Sequence, residues 1–206
     1  LFFTAPLLFS AGKWKKEISK ENITVWTRGV EGTDIREARG RTVIDLEPKK
    51  LFLGMEDRDR FSKVVTDIVE WKELGSCGER CTYVYEKMHH PPLKDRVYVI
   101  KVQWEEEETA KGTRIRQWWE KARDKKPPGE GVEMVELYGS YLFEPAGGGK
   151  KTKFTYTYFV DPGGAALAFF VNRSLAGSTF DILKALRKDC LLYTSPSPRD
   201  RTRSRM

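Results

Sequence analysis

The sequence predicts an α+β domain: a long run of antiparallel strands closed by one C-terminal helix. Three observations carry this reading. Short runs of alternating apolar and polar residues recur from 13 to 160. The sequence DPGG at 161–164 then stops the alternation. From 165 to 188, Leu167, Phe170, Val171, Ser174, Leu175, Ser178, Ile182 and Leu186 recur at helical spacing, the clearest periodicity in the chain. Strands in series with few helices between them fit α+β rather than α/β.

The elements follow in order. Residues 13–20 and 23–30 form two strands joined at Glu21 and Asn22, and 35–46 form a third after the turn at Gly32. Pro48 opens a helix at its tolerated first-turn position, with Leu51, Phe52 and Met55 on one stripe. A second short helix is expected over 57–65, with Phe61, Val64 and Val65 inward. Strands return at 69–76 and 81–88 around the turn at Gly78. HHPPLKD at 89–95 is a loop, because adjacent prolines remove ladder donors. Strands at 97–106, 113–121, 132–143 and 153–160 complete the series.

The ends read differently. Residues 1–12, LFFTAPLLFSAG, resemble the end of a secretory signal peptide, and Pro6 argues against a core helix there. That places the protein in the periplasm or outside the cell; without a signal peptide it is cytoplasmic. Residues 189–206 carry no apolar period and resemble a non-native, disordered tail, so the folded domain is expected over 13–188.

Composition narrows the function. Apolar residues make up 39% and aromatic residues 12%, enough for a core in a chain of 206. No run of 18 apolar residues exists, the length a membrane-spanning helix needs. The formal charge is +7, but residues 191–206 hold four Arg and one Asp, leaving about +4 for the body. A nucleic-acid partner is therefore not expected, and transient contact with an anionic membrane surface is the milder expectation. Cys77 and Cys81 flank a short turn: in an oxidising compartment they are placed to bridge, in a reducing one they are free thiols. No metal site is expected, because the spacing is CxxxC with no second pair and no nearby His. No HExxH, GxSxG or phosphate-binding loop is present, so neither catalysis nor a cofactor is expected.

The order of elements, with WKKEISKENITVWTRGVEG, PPLKDRVYV, GSYLFEP and FTYTYFVDPGGAALAFFVNR, resembles the START (StAR-related lipid transfer) family of the Bet v 1-like superfamily, closest to secreted bacterial members. The resemblance implies a helix-grip fold, a curved antiparallel sheet around the C-terminal helix. It implies a cavity for a lipid or other hydrophobic small molecule. A polyketide cyclase-like enzyme using that cavity is the alternative, and a scaffold for interactions the third reading. Cavity residues are then expected among Tyr83, Tyr85, Arg96, Phe154, Tyr156, Tyr158, Leu167, Phe170, Val171, Ser174 and Ser178. The gate is expected at His90, Pro91, Pro92 and Leu93, moving with the C-terminal helix hinged at 161–164. The family's Arg-Asp pair is broken here: Val97 follows Arg96.

Overall fold

The structure is a computed structural model that describes residues 12–57, 61, 64–89, 91 and 94–193. Its elements are β1 (Lys15–Lys20), β2 (Ile23–Gly29), β3 (Arg36–Ile44), α1 (Pro48–Glu56), β4 (Ile68–Gly78), β5 (Cys81–Met88), β6 (Arg96–Thr109), β7 (Gly112–Lys121), β8 (Val132–Glu133), β9 (Glu136–Ala146), β10 (Lys151–Asp161) and α2 (Ala165–Tyr193). The strands form one sheet in the order β1-β2-β3-β10-β9-β7-β6-β5-β4. Every pairing is antiparallel except that of β8, which lies parallel to β6.

Local chemistry explains the turns. Glu21 and Asn22 both take positive φ, 53° and 58°, the conformation that a two-residue hairpin matched to strand twist requires. The expected strand 132–143 is in fact two, β8 and β9. Between them the Met134 and Val135 amides turn to different partners, the Val97 carbonyl at 3.0 Å and the Asp161 carbonyl at 3.1 Å. That arrangement buries Met134. The expected helix over 57–65 falls partly on residues outside the description; the Phe61 amide bonds the Asp57 carbonyl, and the Val65 amide bonds that of Phe61. The last helix runs five residues beyond Lys188, to Tyr193. The leader and the rest of the tail lie outside the described residues.

α2 lies across β2 and β3. Leu175, Phe180, Leu183 and Leu186 are its buried stripe. Gly40 of β3 makes this approach possible: a Cβ there would run into Leu183 and stand 2.8 Å from Thr179 Cγ2. Hydrogen bonds clamp the helix on both adjoining hairpins. Asn172 Nδ2 donates to the Asp34 carbonyl at 2.7 Å, and the Arg36 amide donates to Asn172 Oδ1 at 2.8 Å. Further along, Lys184 pairs with Glu21 at 3.0 Å and Arg187 donates to the Glu21 carbonyl. α1 packs its buried Leu51, Phe52 and Met55 into the same core, with Phe52 against Trp104 and Phe143 at ring distances of 5.2 and 5.7 Å.

Candidate functional site

Alternation along β5, β6, β7, β9 and β10 sends every second side chain to the face covered by α1. That face does not close completely. The space left there amounts to about 90 Å³. Met55 and Glu56 of α1, with Phe61, Val65 and Ile68, form its cover. Its wall is apolar and aromatic, with Ile100, Val102, Trp119, Leu137, Tyr141 and Tyr156 prominent. Gly139 lets Trp119 lie down in this wall, because a Cβ at that position would meet the indole directly. The Trp119 ring stands 4.7 Å from Tyr141, and Tyr156 stacks on Tyr158 at 4.6 Å.

Polar groups interrupt this surface. Glu86 is buried on β5, opposite Tyr98 in the register with β6. Gln117 Nε2 donates to Glu56 Oε1 at 2.8 Å, tying α1 to β7. Burial, then the neighbouring Tyr141 and Tyr158, pushes the Tyr156 phenol well above the usual range, so it is a hydrogen-bond donor at neutral pH. Thr179 gives its single proton to the Leu175 carbonyl at 2.6 Å, so Tyr158 donates to Thr179 Oγ1 across 3.2 Å. This bond is how α2 meets the rim of the cavity.

Of the residues expected to line a cavity, Tyr156 and Tyr158 border this space. Phe154 is packed against Phe143 and Tyr141 in the solid core. Tyr83 and Tyr85 point to the other face of β5, where Tyr85 packs with Val97, Val99 and Ala122. Arg96 is not in the wall: Nε donates to the Pro162 carbonyl at 2.9 Å and Nη1 to that of Lys94 at 2.7 Å. Asp95, next to it in the chain, is held by His89 at 2.7 Å and Lys87 at 3.1 Å. Phe170 is 62% exposed. Val171 packs beside Val30, Ile35 and Phe159. Ser174 and Ser178 are exposed and bond back to carbonyls of their own helix, although Ser178 also reaches the Tyr158 hydroxyl. The side chain of Leu167 and all of His90, Pro92 and Leu93 lie outside the description; Pro91 is exposed in a turn.

Sequence reasoning missed most of the wall because it took α2 as the cavity's other half. The available signal was the alternation itself, which puts Val84, Glu86 and Met88 on one face of β5, with an acid where an apolar residue is expected. Cys77 and Cys81 are joined, with Cα atoms 5.0 Å apart across the β4–β5 turn.

A ten-stranded sheet in this order, holding one long C-terminal helix, has close counterparts among solved structures. The STAR-related lipid transfer protein of Xanthomonas axonopodis superposes with a TM-score of 0.73 at 24% identity, over 86% of this chain and 98% of that one. Human STARD10 gives 0.72 at 22% identity, over 88% and 74%. The fold is the START-type helix grip. An aromatase/cyclase of Streptomyces, Zhui, shares this START-type architecture more distantly, with a TM-score of 0.55 at 7% identity over 79% and 98%. No family model matches the chain, and no curated protein matches it.

Proposed function

We propose that this domain binds, and transfers, a lipid or other hydrophobic small molecule in the cavity beneath α1. The observation that carries the reading is an aromatic-walled pocket with a few convergent polar groups, Glu86, Gln117 and Tyr156, in a START-type fold. At about 90 Å³ it is smaller than a cavity of about 150 Å³ that takes up benzene, so a lipid enters only when the cover opens. α2 is clamped at Asn172, Lys184 and Arg187, so opening falls to the other side, at Phe61, Val65 and Ile68. Native mass spectrometry of the freshly expressed chain, with extraction of what co-purifies, tests the reading. A bound lipid is expected. A ligand-free protein that also takes up no fluorescent lipid from vesicles would overturn it.

The likeness to an aromatase/cyclase supports a second reading, with the buried Tyr156 phenol as proton donor to a polyketide-like substrate. Turnover that Tyr156→Phe abolishes would favour it. Phe169 and Phe170 stand exposed and edge-to-face at the start of α2, which supports transient contact with a membrane surface. The Cys77–Cys81 bridge supports residence in an oxidising, extracytoplasmic compartment. Two reactive thiols in protein isolated from that compartment would overturn this placement.

A further inference from the structure

The face of the sheet turned away from α2 carries a feature that the cavity does not use. Gly40 faces the helix, so Arg39 and Arg41 on either side of it point outward, about 6.8 Å apart along β3. Each guanidinium lies over β10: Arg39 Nε donates to Thr157 Oγ1 and Arg41 Nε to Thr155 Oγ1, both at 3.4 Å. Arg28 of β2 stands beside them. The Trp14 ring contacts two of the three cations, at 4.1 Å from Arg39 and 4.4 Å from Arg28, and Trp26 supports Arg41 at 5.5 Å. Among the described residues one carboxylate joins this group, Glu37, and it is paired with Arg28. Among the described residues neither Arg39 nor Arg41 forms an ion pair, although Glu37 lies close enough to favour the charge of Arg39, which is half-buried between its like-charged neighbours. Burial first, and then Arg28, weakens the hold of Arg39 on its proton.

Three cations against one anion on a small patch repel one another, yet Arg39 and Arg41 are held there by indole faces rather than by ion pairs. Among the described residues the terminal nitrogens of these two guanidiniums make no hydrogen bond, so they can make the paired bonds that a tetrahedral oxyanion accepts. We propose that the outer face of β2, β3 and β10 is an anion-binding site, in which Arg39 and Arg41, with Arg28 beside them, take a phosphate or sulfate group. The group is either a free anion or part of a phospholipid headgroup. Single-stranded nucleic acid fits poorly, because the guanidiniums already occupy the indole faces on which bases would stack.

The test uses the full chain at constant ionic strength. Inorganic phosphate is titrated while tryptophan emission and heat are followed. Co-sedimentation with vesicles of phosphatidylcholine, with and without phosphatidylglycerol, distinguishes the lipid source. Saturable binding of phosphate, or of anionic vesicles alone, is expected. Arg39→Gln and Arg41→Gln should each weaken it by about tenfold or more. Arg114→Gln removes the same charge from an exposed pair with Glu107 and should leave binding unchanged. If Arg39→Gln fails to fold, the exposed Arg41 carries the test. The proposal is overturned if neither phosphate nor anionic vesicles bind saturably. It is equally overturned if Arg41→Gln binds as wild type, or if Arg114→Gln loses as much.

Discussion

Gly40 shows how much one missing methyl group decides. A Cβ there would press on Thr179 and Leu183, both fully buried. Gly40→Ala should therefore cost about 1–3 kcal/mol through overpacking, partly offset by a stiffer unfolded chain. Urea unfolding checks this, and an unchanged midpoint would show that α2 rides higher on the sheet. A second expectation concerns pH. Tyr156 is raised well above 10.0 and Tyr138 to about 12, in both cases first by burial. Groups with folded values above their unfolded ones keep their full contribution below pH 10, and lose it as pH climbs through the folded values. Stability should fall steeply between about pH 10 and about pH 12, with tyrosine ionisation delayed until unfolding. A spectrophotometric titration with ordinary midpoints for every tyrosine would contradict it. At this scale the sequence was only partly legible. Tyr156 and Tyr158 stand on the face that alternation assigns them, because alternation fixes a strand's two faces. Ser174 and Ser178 were misplaced because the periodic residues of α2 fit two neighbouring stripes, and Gly40, which selects the stripe centred on Leu183, sits more than 130 residues away.

Among elements, the edge strand β4 has little support from packing. From Val69 to Ser76 every residue of β4 is exposed, and its register with β5 slips three times. As an edge strand it is kept in place by β5 and by the Cys77–Cys81 bridge. Closing so short a loop contributes about 2 kcal/mol in the chain-entropy account. Reduction should lower global stability by no more than that, while amide exchange in β4 accelerates well ahead of that in β10. Exchange that speeds up uniformly would show that the hairpin is not a separate unit. This hairpin was legible from its alternation and turn residues. The break between β8 and β9 was not, because it is set by which carbonyls Met134 and Val135 find, Val97 and Asp161, neither of them local.

For the molecule as a whole, the decisive junction is between β3 and β10. Seven consecutive pairs, from Thr152↔Ile44 to Tyr158↔Ala38, join the first meander to the last strand. Without β9 and β10 the meander has no neighbour on that side, and α2 has no platform beyond β2 and β3. A chain ending at Pro128 should accordingly show no cooperative thermal transition, although it retains seven of the strands. A sharp calorimetric peak from that fragment would refute it. The fold class was legible because strand runs and one long helix leave few alternatives. The strand order was not, since nothing local says that β3 must wait for β10.

That wait has a consequence during synthesis. β3 leaves the ribosome roughly 110 residues before its partner, which at about 5–20 residues per second is about 5–20 seconds. Throughout that interval Ile23, Val25 and Ile44 of β2 and β3 wait without α2 to cover them. Apolar surface exposed for so long makes a nascent chain prone to aggregate. The same long-range junction that makes the finished sheet continuous leaves the unfinished protein adhesive.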